Sequence, residues 1–148
     1  LKRQRIDTVA SHHAGYRKTE LVGNYWERPV GLPGLETNFP LMMAAVHHGR
    51  AGLERMVELL SECPARIMGL SKKGAIKRGN DADLLLFTEG QLETMETAHI
   101  LGRSAWSPYI GRELAAKPEL VLVGGEIVAK RGLIVNDSVR GKEVISHR

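Results

Sequence analysis

Residues 64–70 read Pro-Ala-Arg-Ile-Met-Gly-Leu, and residues 73–87 read Lys-Gly-Ala-Ile-Lys-Arg-Gly-Asn-Asp-Ala-Asp-Leu-Leu-Leu-Phe. The first stretch is typical of a short helix, because proline is tolerated in the first turn and Gly69 is a natural C-terminal stop. The second predicts glycine-rich turns around one short strand over Gly74–Asp81, then a strand over Ala82–Phe87 that is apolar on both faces. The chain therefore changes from helical to β structure near residue 70.

Upstream of this point the pattern is helical back to Thr37. Thr37 or Asn38 can cap the start of a first helix, and Gly49 is expected to end it. The apolar positions that recur at helical spacing are Leu41, Met42, Ala45 and Val46, followed by Leu53, Met56, Val57 and Leu60. We predict three helical pieces over roughly 37–69, the third beginning at Pro64.

Further upstream, Ile6–Ala10 has the composition of a buried strand, and the polar, glycine-punctuated segment from His12 to Gly34 is a loop. A lone strand cannot bury both of its edges. We therefore expect that this chain completes its core with residues that it does not contain.

Downstream, Leu120–Val123 and Glu126–Ala129 flank Gly124-Gly125, a two-residue loop suited to a primed hairpin turn. Residues 92–111 are predicted to be irregular. The expected organisation is α/β, with a strand, loop and helices over residues 1–70 and a small β-element over residues 71–148.

The composition narrows the function classes. The 148 residues are 43% hydrophobic and 26% charged with a net charge of +4, which is a globular composition. No apolar run is long enough to span a membrane, so we expect a soluble protein without a membrane partner. The positive charge is spread along the chain and aromatic residues are few, which argues against nucleic-acid binding. The single cysteine excludes a disulfide framework and fits a cytoplasmic location.

Histidine is the main chemical lead. His12 and His13 follow the predicted strand, where α/β folds place their sites. A metal site needs three or four convergent ligands, and adjacent residues of an extended segment point to opposite sides. We therefore expect only one of the two to face a given ion, whereas His47 and His48 are expected to be solvent-facing or capping residues.

A second lead is the loop Gly31–Thr37, which precedes a helix and can present backbone N–H groups to an anionic substrate. Dinucleotide, phosphate-loop and H-E-x-x-H signatures do not occur in the sequence. Cys63 is expected to be a core residue rather than a nucleophile.

Six segments in this order resemble the C-terminal part of the cyclic amidohydrolases, dihydroorotase most of all. The family pattern is a strand ending in Asp-x-x-x-[ST]-Asp-His-Ala-Pro, a Gly-x-x-Gly-x-Glu-[ST] loop, a helix ending in PARIxGL, KGxIxxGxDADLxLF, SPYxG and a closing hairpin. The matching segments are Asp7–Gly15, Gly31–Thr37, Glu58–Leu70, Lys73–Phe87, Ser107–Gly111 and Val121–Gly132.

The resemblance implies the closing βα portion of a (β/α)8 barrel and β-strands of a small sandwich domain, with the barrel incomplete in this chain. It implies a hydrolase that opens a cyclic amide with one or two zinc ions, held mostly by residues that this chain lacks, and that interconverts dihydroorotate and carbamoyl aspartate in pyrimidine biosynthesis. The implied catalytic residue and metal ligand is His12, and the implied substrate contacts are His13, Tyr16, Pro33 and Gly34.

Two departures from the family pattern stand out. His12 occupies the position of the family's proton-shuttling aspartate, and Tyr16 occupies the position of a second substrate-contacting histidine, whereas His13 matches the family. A (β/α)8 barrel also takes roughly 250 residues, so the isolated chain is expected to be inactive.

These departures leave three hypotheses open. The chain is the C-terminal portion of a dihydroorotase-like enzyme, a non-catalytic homologue that acts as a structural partner, or part of an allantoinase or hydantoinase. We expect it to associate with the missing N-terminal portion or a partner subunit and to form an oligomer.

Overall fold

The helices lie in the first half of the chain. The computed structural model describes residues 5–144. Helix α1 spans Asn38–His47, α2 spans Leu53–Val57 and α3 spans Cys63–Ile67. A π-helical turn, Glu58–Glu62, joins the last two. The three predicted helical pieces are therefore confirmed, and Cys63 is buried as expected.

The π-helical turn has a local cause. Pro64 has no N–H to donate, and its ring would clash with the carbonyl four residues earlier in a regular α-helix. Widening the preceding turn removes this conflict and lets the helix continue to Ile67. Gly69, at φ +71°, then ends the helical segment.

The strands form two antiparallel sheets. They are β1 (Leu84–Thr88), β2 (Glu93–Thr94), β3 (Glu113–Leu114), β4 (Lys117–Val123), β5 (Glu126–Lys130) and β6 (Leu133–Ile134). One sheet has the order β1-β4-β5-β6, and β2 pairs with β3 in the other. Residues 92–111 are mostly irregular, with β2 and one 3-10 turn at Thr97–His99 as the exceptions.

The predicted β4–β5 hairpin is confirmed. Val123 pairs with Glu126, and Gly124 and Gly125 both have positive φ, at +58° and +90°. A primed turn requires positive φ at both central residues, and glycine adopts it without a steric cost.

The core joins α1 and the helical segment of residues 53–67 to the strands. Its most buried members include Met43, Met56 and Leu59, and the ring of Phe39 meets that of Phe87 edge to face at 5.0 Å. None of the helices in residues 5–144 is long and apolar enough to cross a membrane. The division of the chain at residue 70 stays a prediction.

Two strand predictions are wrong. Ile6–Ala10 is not a strand and is largely exposed, because among the described residues it finds no neighbouring strand. It is held instead by the carbonyl of Leu59, which accepts bonds from the N–H of Val9 at 3.1 Å and the hydroxyl of Thr8 at 3.3 Å. The short strand predicted within Gly74–Asp81 is also absent, and Ile76 in its middle is 92% exposed.

Candidate functional site

The structure brings together the two loop segments that the sequence singled out. Residue His13 forms an isolated parallel bridge with Leu32, and the N–H of Ala14 donates to the carbonyl of Leu32 at 3.0 Å. Gly31 makes this approach possible, since its φ is +116° and a Cβ placed on it would lie 2.5 Å from the Cβ of Ala14. The segment at residues 11–16 and the loop at residues 31–37 therefore form one surface.

His13 is fixed by this loop. Its Nδ1 accepts hydrogen bonds from the N–H of Gly34 at 3.2 Å and of Leu35 at 3.1 Å. A ring nitrogen that accepts is unprotonated, so the proton of the neutral ring lies on Nε2. Nε2 lies beside Gly15, at 3.3 Å from the position of a Cβ on that residue. The site therefore holds an imidazole in one orientation with an N–H donor at its outer edge.

The backbone of His12 is not extended, contrary to what the sequence predicts. Its φ is +45°, in the left-handed region, so the rule that adjacent residues of an extended segment point to opposite sides does not apply here. The side chain is exposed, and its Nδ1 lies 3.5 Å from the position of a Cβ on Gly31. His12 therefore lies on the same surface as the loop, with its ring accessible.

The remaining predicted residues belong to the same two segments but lie at different depths. Pro33 and Gly34 are buried, and Gly34 packs against Ser11, whose Cβ lies 3.4 Å from the position of a glycine Cβ. The N–H groups of Gly34 and Leu35 are engaged by His13 rather than offered to solvent. Tyr16 is half-buried, and its carbonyl accepts a bond from Trp106 Nε1 at 2.8 Å.

A third segment that sequence reasoning did not place at the site lies over both loops. Residues 101–107 are here called the clamp segment. Glu36 Oε1 accepts hydrogen bonds from two of its backbone N–H groups, those of Leu101 at 3.1 Å and Gly102 at 2.5 Å. Its Ser107 hydroxyl donates to the carbonyl of Pro33 at 3.5 Å. The motif that begins at Ser107 was visible in the sequence, but its location over residues 33–36 depends on contacts 65 or more residues apart.

An ion pair closes the clamp segment onto the loop that follows Tyr16. Arg103 Nη2 lies 2.7 and 2.9 Å from the two carboxylate oxygens of Glu20. The pKa of Glu20 is lowered, chiefly by the hydrogen bond from the backbone N–H of Arg17 and then by Arg103. Glu20 therefore stays ionised and able to hold Arg103.

The residues present do not amount to a metal centre. Within residues 5–144 no three His, Cys, Asp or Glu side chains converge closely enough to hold an ion. His13 Nδ1 is occupied by two backbone N–H groups. His12 is thus the one ring at this surface with a predicted ligand role, and the described residues do not fit a complete zinc site.

Comparisons with known proteins agree on one superfamily. A dihydroorotase from Halobacterium salinarum is 35% identical over 124 residues, covering 84% of this chain and 29% of that protein. An L-hydantoinase from Paenarthrobacter aurescens is 32% identical over 144 residues, covering 94% of this chain and 31% of that protein. A solved D-hydantoinase structure superposes with a TM-score of 0.84 at 28% identity, covering 95% of this chain and 32% of that one. No family model matches the sequence.

The chain belongs to the cyclic amidohydrolase superfamily. Within it, the matches are to dihydroorotases and hydantoinases, in their C-terminal part. Its fold is the predicted one, the closing βα portion of the barrel together with β-strands of a smaller domain. The chain spans only 29–32% of the length of these three relatives.

Proposed function

We propose that this chain supplies the C-terminal part of the active site of a dihydroorotase-like cyclic-amide hydrolase. The reaction is the interconversion of dihydroorotate and carbamoyl aspartate in pyrimidine biosynthesis. The observation that carries the proposal is the fixed His13 ring, whose Nδ1 is bonded to the loop at residues 34 and 35. The dihydroorotase name of a relative that is 35% identical over this same region supports the choice of substrate.

Each predicted residue has a role in this proposal. His13 donates its Nε2–H to an oxygen of the substrate, since Nδ1 is already bonded. Tyr16, which is half-buried, contacts the substrate, whereas Pro33 and Gly34, which are buried, hold the substrate-facing loop and its N–H bonds to His13 in position. His12, whose ring is accessible, accepts a proton during amide cleavage.

The proposed cofactor is zinc, one or two ions, held mostly by residues outside this chain. His12 is the residue that this chain contributes, and its one unprotonated nitrogen either ligates an ion or accepts the proton, not both at once. Such an ion supplies a nucleophile from water and polarises the amide carbonyl. Because residues 5–144 bring no three potential ligands together, the isolated chain is proposed to be inactive.

Two other functions are favoured by particular observations. A hydantoinase is favoured by the L-hydantoinase relative and the D-hydantoinase superposition. A non-catalytic homologue that serves as a structural partner is favoured by His12, because an imidazole at the family's aspartate position changes the charge and reach of the proton acceptor.

Association with an N-terminal portion or a partner subunit, and a higher oligomer, are part of the proposal. Large apolar side chains on the chain's surface support it: Trp26 is 89% exposed, Val30 is 81% and Leu101 is 79%. The cytoplasmic location stays a prediction.

The test combines three measurements on one purified sample: the intact mass, the zinc content and turnover of dihydroorotate and of hydantoin. Zinc with dihydroorotate turnover, in a longer polypeptide or with a co-purifying partner, supports the proposal. Turnover of hydantoin alone supports the hydantoinase reading. A longer or partnered protein that binds zinc and turns over neither substrate contradicts an enzymatic role for this site.

A further inference from the structure

We propose that Glu36 is a positioning residue that fastens the clamp segment to the loop at residues 31–37 and thereby fixes the orientation and proton position of His13. The effect on catalysis rests on the function proposed above. The effect on His13 itself does not, because it follows from contacts within the described residues.

The first step is the contact between Glu36 and the clamp segment. One carboxylate oxygen accepts two consecutive backbone N–H groups, those of Leu101 and Gly102, at 3.1 and 2.5 Å. Bonds from N–H groups to a carboxylate are stronger than bonds between neutral groups. Gly102 is suited to this approach, because a Cβ there would lie 2.9 Å from the same oxygen.

The second step is the position of Glu36 in the loop. It directly follows Leu35, whose N–H, with that of Gly34, donates to His13 Nδ1. On its other side, Thr37 is 2% exposed and its hydroxyl donates to the carbonyl of Gly34 at 3.1 Å. The peptide planes that aim at His13 are therefore held from the inside by Thr37 and from the outside by Glu36.

The third step links the loop to the chemistry of the ring. Which nitrogen of a neutral histidine carries the proton is set by the bond that the other nitrogen makes. If the loop rotates, Nδ1 loses its two donors and the proton is no longer restricted to Nε2. Glu36 would thus determine whether His13 presents a donor at its outer edge.

The test compares three variants of the protein purified at its native length. Glu36→Ala removes the acceptor, Glu36→Gln keeps an oxygen acceptor without the charge, and Glu62→Gln is a control. Glu62 is an exposed carboxylate in the π-helical turn, paired with Arg66 at 3.8 Å, and it lies outside the cavity that Glu36 lines. The measurements are backbone amide hydrogen exchange and the ¹⁵N signature of the His13 tautomer.

We expect Glu36→Ala to speed exchange at Leu101 and Gly102 and also at Gly34 and Leu35, and to shift His13 toward a mixture of tautomers. Glu36→Gln should keep most of the slow amide exchange and most of the single His13 tautomer. The control should change neither the exchange nor the tautomer. In an active protein, Glu36→Ala should lower kcat/KM by about 10- to 100-fold.

Faster exchange at residues 101 and 102 alone, with His13 unchanged, would overturn the positioning role and leave the proposed function intact. The converse failure is separate. If His13→Gln leaves turnover of every cyclic amide unaltered, the proposed function fails, whereas the exchange and tautomer results still decide the role of Glu36.

Discussion

The β4–β5 hairpin and the candidate site are held together by different kinds of hydrogen bond. The hairpin pairs neighbouring residues through backbone bonds, with Val123 opposite Glu126 across a two-glycine turn. The site joins distant segments largely through side chains that bond to backbone: His13 to residues 34 and 35, Glu36 to residues 101 and 102, and Trp106 to Tyr16. Sequence separations at the site reach 90 residues.

This difference predicts how each region responds to amino-acid substitution. Replacing a turn residue of a local hairpin lowers only the contribution of that turn to the free energy of unfolding. The strand pairing elsewhere persists. The site depends on a few bonds that must all be in place for His13 to point one way. Substitutions at the site should therefore affect function more than stability, and substitutions in the hairpin should do the reverse.

The largest expected effect is that of His12→Asp on activity. Aspartate also tolerates the left-handed backbone at φ +45°, so the fold is expected to accept it. If the reaction needs a carboxylate as proton acceptor at this position, activity should rise by about 100-fold or more. Steady-state turnover of dihydroorotate measures it, with His47→Asp, at an exposed imidazole on α1, as the control that should change nothing. An unaltered rate in His12→Asp would place residue 12 outside the reacting centre.

The next effect is that of Gly31→Ala on the site. The new methyl group would meet the Cβ of Ala14 at 2.5 Å in a backbone region that favours glycine, which we expect to cost about 2–4 kcal/mol. Gly79→Ala is the matched control, since Gly79 has φ +90° and nothing within 4 Å of its Cβ position, so only backbone strain is added. Hydrogen exchange at Ala14 should accelerate in the first variant alone. Equal exchange in both would mean that the two loops are not packed as described.

A smaller effect is expected at the hairpin turn. Gly124→Ala adds strain at φ +58°, with nothing within 4 Å of the new methyl group, and should lower the free energy of unfolding by about 1 kcal/mol. Gly124→Asn should cost less, because asparagine tolerates this conformation. Urea unfolding measures both, and turnover should be unaffected. A loss of activity in either variant would contradict the claim that the hairpin turn affects stability and not the candidate site.

The smallest effect is the pH dependence contributed by Asp83, which joins the hairpin to the preceding turn. The Lys73 ammonium, and then the N–H of Gly124 at 2.7 Å, hold the pKa of Asp83 below its ordinary value of 3.8. A carboxyl whose pKa is lower in the folded state stabilises the fold above its unfolded pKa and loses that contribution as pH falls through the folded pKa.

Because Asp83 is partly exposed, this contribution should be below about 1 kcal/mol. Unfolding free energies of the parent and of Asp83→Asn, measured from about pH 6 to pH 2, should converge at the acid end. A difference that stays constant across this range would show that the carboxylate charge plays no part.

The sequence predicted what local chemistry determines. Pro64 and Gly69 marked the last helix, Gly124-Gly125 marked the hairpin turn, and Cys63 is in the core. The strand at Ile6–Ala10 was wrong because a strand is defined by its neighbours, and the described residues give this segment none.

The site was predictable only in part. The segments that contain His12, His13 and the loop at residues 31–37 were identified from residue types. The left-handed backbone of His12 and the placement of residues 101–107 over the loop were not, because neither leaves a periodic or compositional signal.

The most direct test of the central claim is an NMR titration of the protein at its native length with dihydroorotate, comparing the site with the hairpin. We predict saturable shifts of the His13 ring and of the Gly34 and Leu35 amides, with the Gly124 and Gly125 amides unmoved. Saturable shifts at the hairpin with none at residues 13, 34 and 35, or no shifts at either region, would contradict the account.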